Sequence, residues 1–179
     1  MIRCGLLGIQ FGSLPADAEK SIVENFGRVC SKMNSQELCS SLHGFAKMQA
    51  NWESNVSSTL KKYILTSVAN LLRSGSLCLA CTIYSLGLME ANWEILPQVF
   101  KDIFERAAHE SRLRDQEISN TIYGLCLMQA SWVSIGEDFR NSLLRDLSHE
   151  KAFSEDVPQV ETITFFILSC VQMVYWMYV

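Results

Sequence analysis

The sequence predicts an all-α fold, an α-solenoid of stacked antiparallel helix pairs with a period of about 40 residues. Three observations carry this. One phrase recurs at residues 42–52 (LHGFAKMQANW), 83–93 (IYSLGLMEANW) and 122–132 (IYGLCLMQASW). Its tryptophans, Trp52, Trp93 and Trp132, are 41 and then 39 residues apart. Between copies lies a charged segment with apolar residues at helical spacing, and no stretch alternates as a strand would. Each unit therefore reads as a helix A holding the phrase and a helix B holding the charge.

The chain starts inside a unit. Residues 1–18 weakly imitate a signal peptide, but the repeat register accounts for them better. Gly5 lies two periods before Gly87, Leu14-Pro15 two before Leu96-Pro97, and Phe11 takes the tryptophan position. The first repeat is truncated, and its helix B is expected at 16–30. Pro15 and Pro97 suit a first helical turn, where a missing N–H costs nothing.

The first complete helix A starts after Asn34 or Ser35, with Asn34 and Glu37 at capping-box spacing, and continues through Leu38, Leu42 and Phe45. Its helix B is expected at 55–72. The second helix A follows Ser74-Gly75-Ser76 and runs through Leu79, Ile83 and Leu86 without a charge from Leu77 to Met89. A helix apolar all round is covered on most sides. Its helix B is expected at 96–110, with Val99, Phe100, Ile103, Phe104 and Ala107 as the buried stripe. The third helix A follows Asp115 and runs through Ile118, Ile122 and Leu125. Its helix B, at 136–149, buries Phe139, Leu143, Leu144 and Leu147. Lys61, Lys62, Lys101, Glu105, Arg106, Arg140 and Arg145 are expected on solvated faces. Small residues recur inside the A helices: Ala46, Gly87 and Cys126 form one column, Ala50, Ala91 and Ala130 another. A helix-interior glycine costs roughly 0.5–1 kcal/mol against alanine, and close approach of a neighbouring helix is the usual compensation.

The domain reading is three to four helical-pair repeats over 1–155, then a degenerate repeat helix or hydrophobic C-terminal segment over 156–179. Residues 162–179 carry no charge, near the lower limit of a membrane span, so membrane contact there is one reading and a decayed helix A the other. Neither end shows a polar capping repeat, which makes end-to-end self-association an expectation.

Apolar residues at 49% supply a sizeable core, and charged residues at 19% exclude a disordered chain. A net charge of −4 argues against a broadly basic nucleic-acid surface and leaves room for a local one. The seven scattered cysteines fit an intracellular reducing compartment with core-packed thiols. The CxxC spacing of Cys78 and Cys81 has no second ligand pair for zinc, and no cofactor is expected. Enzyme signatures are missing: His43, His109 and His149 fall in different units, and no Gly-rich phosphate loop follows a strand.

Residues 116–128 (QEISNTIYGLCLM), with the Gly/Ala-rich helix A and the terminal Met-x-x-x-Trp, resemble the octotricopeptide-type repeat over about residues 2–147. Such repeats precede the RAP domain in organellar RNA-processing proteins, and related arrays occur in some intracellular bacteria. The resemblance implies a helical-pair solenoid that binds RNA along one face through its A helices. A mitochondrial or chloroplast location follows if the source is eukaryotic, a cytoplasmic one otherwise.

Candidate binding residues are A-helix positions that stay polar or ring-bearing where a core would be apolar: Ser40 and Asn120, then Ser41, Thr82 and Thr121, then the ring column His43, Tyr84 and Tyr123, with Lys47 beside it. Polar columns that repeat once per unit can each read a base, and rings can stack on bases. Gln49, Glu90 and Gln129 form a further polar column near the helix end. The structural alternatives are capping or back-bonding for the small polar residues and a core role for the rings, with the tryptophans packing at the A–B corner. Phosphate-contact candidates are Lys47, Lys61, Lys62, Arg73, Arg112, Arg114, Arg140 and Arg145. Single-stranded RNA is the first expected partner. The alternative is a protein–protein interaction scaffold whose partner protein or peptide lies on the same face.

Overall fold

The computed structural model describes residues 7–75 and 79–149. Among these there are seven α-helices and no strand: α1 (Ala16–Val29), α2 (Ser35–Lys47), α3 (Ser58–Arg73), α4 (Leu79–Leu88), α5 (Gln98–Glu110), α6 (Asp115–Leu127) and α7 (Glu137–His149). The A helices are α2, α4 and α6; the B helices are α1, α3, α5 and α7. The expectations for 1–6, for the cap at Ser76 and for 156–179 lie outside the described residues. No described helix is long and apolar enough to cross a membrane. Among the described cysteines, no disulfide joins Cys30, Cys39, Cys81 and Cys126 to one another.

Contacts skip one helix. α2 packs on α4 and α4 on α6, while α1 packs on α3, α3 on α5 and α5 on α7; the contacts inside each A–B pair are smaller. The α4–α6 contact is the broadest, and its reason is in the sequence. A Cβ placed on Gly87 would lie 2.6 Å from the Gly124 carbonyl oxygen, and one on Gly124 would lie 2.8 Å from the Ile83 oxygen and the Tyr84 Cα. Only hydrogen at both positions lets the two backbones meet. In the B set Gly27 makes room for a side chain instead, since a Cβ there would enter the Tyr63 ring.

The core lies between the two sets. Phe11 and Phe26 meet Phe45 edge-on, with centroids 5.7 and 5.5 Å away. Phe100 meets Phe104 at 4.9 Å, and Trp93 packs on Phe104 and Phe139. Each such buried aromatic contributes roughly 1.5–3 kcal/mol over its exposed state. Val99 and Leu144, expected in the buried stripe, are instead more than half exposed.

The repeated phrase is a helix end with a fixed bonding pattern. Gln49, Glu90 and Gln129 have φ of 54, 57 and 55°, the left-handed region. Their N–H groups donate to Ala46, Gly87 and Cys126, while those of Ala50, Ala91 and Ala130 donate to Phe45, Leu86 and Leu125. This is a Schellman C-cap, built three times without glycine. The methionine before each left-handed residue then accepts a bond from the preceding unit. Trp52 N–H donates to the Met89 carbonyl at 2.6 Å and Trp93 N–H to Met128 at 2.8 Å. Phe11 N–H donates to Met48 at 2.6 Å, so Phe11 does hold the tryptophan position.

Helix starts follow the sequence closely. The capping box forms, with Glu37 N–H donating to Asn34 and Asn34 N–H to Glu37, both at 2.9 Å. Arg114 rather than Asp115 stands at the N-cap of α6; its N–H donates to the Glu117 carboxylate, and Asp115 is the first helical residue. Pro15 and Pro97 occupy the N-cap, and their carbonyls open α1 and α5.

Candidate ligand-binding face

α4 is flanked by α2 and α6 and backed by the B set, which leaves one strip exposed, and the strip continues onto the same face of α2 and α6. In α2 the strip runs Gln36, Ser40, His43, Lys47; in α4 it holds Cys81, Tyr84, Leu88; in α6 it runs Gln116, Asn120, Tyr123, Leu127. The steps of three and four residues are those of one helix face.

The rings line up across the units. The His43 and Tyr84 centroids lie 6.4 Å apart and nearly parallel, at 21°, and those of Tyr84 and Tyr123 lie 6.0 Å apart. All three are half-buried. Burial, then the Lys47 ammonium, lowers the His43 pKa below the ordinary 6.5, so the ring favours its neutral form. Burial, then the neighbouring Tyr123, raises the Tyr84 phenol. The row is thus an uncharged ladder of rings, one per unit.

Other expected site residues divide. Ser40, Asn120 and the exposed Lys47 lie on the strip, and Asn120 accepts a hydrogen bond from Gln116 Nε2 at 3.0 Å. Ser41, half-buried, directs its hydroxyl at the Met33 sulfur. Thr82 and Thr121 do not reach the strip: both are fully buried. The Thr121 hydroxyl donates to the Glu117 carbonyl at 2.7 Å, a turn back along its own helix. The sequence showed these hydroxyls beside the ring column, yet helical geometry turns the residue at i−2 from a ring into the flanking contact. The Gln49, Glu90, Gln129 column is likewise the C-cap, although Asn51 Nδ2 donates to the Glu90 carboxylate across units.

Several cations expected in solvent are held within the fold. Lys61 and Lys101 sit over the Trp52 and Trp93 rings at 5.6 and 5.7 Å. Each also faces a carboxylate, Glu53 at 3.3 Å and Glu94 at 3.9 Å, and Lys101 is only 8% exposed. Arg140 donates to the Trp132 carbonyl, Glu105 accepts from Gly136 N–H, and Trp93 Nε1 donates to the Ser134 carbonyl. Arg145 bonds the buried Asp146 at 2.8 Å and the Ser111 carbonyl. Burial alone would raise the Asp146 carboxyl. Its bonds from Arg145 and Leu113 N–H, with Arg112 nearby, outweigh that and leave its pKa lowered.

The exposed cations left among the phosphate candidates are Lys47, Lys62, Arg73, Arg112 and Arg114. Of these Lys47 alone lies on the strip. A groove of about 650 Å³ leads from Val29 and Lys32 past Met33, Gln36 and Glu37 to Ser40 and Ser41. Lys32 escaped the sequence reading because it falls in a turn; its distance of 41 residues from Arg73 was the available signal. Among the described residues no group of three or more His, Cys, Asp or Glu is placed to hold a metal ion. Comparison with protein-family models, curated proteins and solved structures returns no match.

Proposed function

We propose that this chain is a non-catalytic helical-repeat module, an α-solenoid of antiparallel A–B pairs, that binds single-stranded RNA along the exposed strip of its A helices. The contacts that skip one helix and the thrice-built C-cap support the array. The observation that carries the ligand class is the His43, Tyr84, Tyr123 ladder. It puts one half-exposed ring in each unit, flanked by Ser40 and Asn120, whose side chains donate or accept hydrogen bonds. Stacking on a ring contributes about 1–3 kcal/mol per base and tolerates any base, while neighbouring polar groups can discriminate between bases.

Fluorescence anisotropy with short labelled single-stranded RNAs tests this. The protein binds in a salt-sensitive manner, and Tyr84→Ala with Tyr123→Ala weakens binding by at least about tenfold at unchanged fold, from the loss of two stacking contacts. Absence of salt-sensitive binding sinks the RNA reading. One observation favours the scaffold reading instead: Leu88 and Leu127 lie beside the rings, and Lys47 is the one described cation on the strip. A largely apolar strip with one cation suits an amphipathic peptide, and under that reading peptide binds and RNA does not.

A further inference from the structure

The net charge of −4 leaves room for a local row of cations. At one edge α1 and α7 begin with acids, Asp17 and Glu19, and Glu137 and Asp138, while the first turns of α3 and α5 hold none, and Lys61 and Lys101 there face Glu53 and Glu94. At the other edge, where each helix B turns into the next helix A, the chain places Lys32, Arg73 and Arg112, all exposed. Their spacings are 41 and 39 residues, the same two intervals that separate the tryptophans. Equivalent positions in units that stack through α1, α3 and α5 fall along one line. Each row cation has a carboxylate near it: Glu37 lines the groove with Lys32, Asp102 and Glu110 line a pocket with Arg73, and Asp146 lies near Arg112. These carboxylates also have other partners, and Asp102 accepts from Gln98. Glu37 accepts from Asn34 N–H, Glu110 pairs with Arg106, Glu117 accepts from Arg114 N–H, and Asp146 is held by Arg145 and Leu113.

We propose that Lys32, Arg73 and Arg112 form a phosphate-binding row that holds the backbone of the RNA strand parallel to the ring ladder, one cation per unit. This rests on the RNA reading of the A-helix strip. In the units of α2 and α6 a ligand moving from the edge meets the cation, then Gln36 or Gln116, then Ser40 or Asn120, then the ring; in that of α4 the described residue before the ring is Cys81. Seven helical steps, about 10 Å at the helical rise, separate Gln36 from His43, and Lys32 lies beyond Gln36. In the first unit the groove from Lys32 to Ser40 provides that path. The order is therefore phosphate, hydrogen bond, stack. It places most of the attraction outside the strip, which explains how a strip with one described cation in an acidic protein can serve a polyanion.

The test compares two variants of equal net charge in the full chain, Arg73→Gln/Arg112→Gln in the row and the single Lys20→Glu outside it, with poly(U) as the probe. Each phosphate contact on a single strand contributes about −0.7 to the slope of log affinity against log salt. The row variant therefore loses about 1.4 of slope, roughly a sevenfold effect over a fourfold rise in salt. The control keeps the wild-type slope, and Arg73→Lys/Arg112→Lys restores most of it. Should the row variant unfold, Lys32→Gln/Arg73→Gln replaces it with the same expectation. Four results overturn the row. Equal slopes for row and control variants do so while a ring-dependent RNA affinity survives. Equal loss in both variants makes the charge effect non-specific. Displacement of RNA by poly-glutamate, charge for charge, assigns the edge to an acidic protein. No salt-sensitive binding by the wild type removes both the row and the RNA reading beneath it.

Discussion

Gly124→Ala is the sharpest test of how the A helices meet. In an uncrowded helix this change stabilises by about 1 kcal/mol, because glycine gives up more backbone freedom on folding. Here the new Cβ would stand 2.8 Å from the Ile83 carbonyl carbon, the Ile83 oxygen and the Tyr84 Cα, all three of them backbone atoms. No rotamer change relieves such a contact, so α4 and α6 have to separate by several tenths of an ångström. Overpacking of this kind costs about 1–3 kcal/mol, and the obstacles put Gly124 toward the upper end. The net expectation is a loss of about 1–2 kcal/mol, or a midpoint lowered by about 2–8 °C for a chain of this size. Gly87→Ala meets the Gly124 oxygen at 2.6 Å and should lose a similar amount. Both substitutions push the same helices apart, so the double variant loses less than the two single losses added. Urea denaturation of the four proteins measures this. Stabilisation by either single variant, or strict additivity, would refute the close approach.

Two further outcomes follow from the same contacts. Gln49→Gly and Gln129→Gly relieve a left-handed non-glycine residue and should each stabilise by about 0.5–1 kcal/mol in urea melts; a loss would mean that the side chain supports the cap. Asp146→Asn weakens the contacts to Leu113 N–H and Arg145 and should cost about 1–3 kcal/mol at neutral pH. Because the folded Asp146 carboxyl lies below its unfolded pKa of 3.8, its contribution is present above that value and is lost as pH falls through the lower, folded one. The gap between wild type and Asp146→Asn should therefore close in acid, and a gap independent of pH would contradict that assignment.

Much of the fold was legible because a repeat states the same constraint several times. The phrase fixed the position of every helix A, and the Phe11 register was readable from two periods of arithmetic. The methionine carbonyl that accepts the preceding Trp52 or Trp93 N–H was not legible, since a backbone bond between units leaves only the spacing of its side chains in the sequence. The left-handed C′ position was hidden for a related reason. Glycine normally marks it, and this chain writes Gln49, Glu90 and Gln129 there, which read as a polar ligand column. Lys101 was misplaced by residue type alone. Its stem lies in the core, and its ammonium is satisfied by the Trp93 face and Glu94.

The candidate site was harder to read because exposure on an A helix is set by every helix packed on it, which for α4 means α2, α6 and the B layer. A helix covered on one side shows about half its residues; one flanked on both sides and backed by a second layer shows a single row. That is why the sequence could nominate Thr82 and Thr121 alongside Tyr84 and Tyr123 when only the rings reach the strip. The same geometry constrains recognition. Along this strip a unit can offer a ligand one cation at the edge, one small side chain (Ser40, Cys81 or Asn120) and one ring, in that order. A ligand that uses every unit must itself repeat a charge, a polar edge and a flat face along its length. A nucleic-acid strand has that repeat in its covalent structure, whereas a peptide would have to supply it by sequence. The RNA proposal rests on this correspondence and not on the charge of the strip, which carries a single described cation.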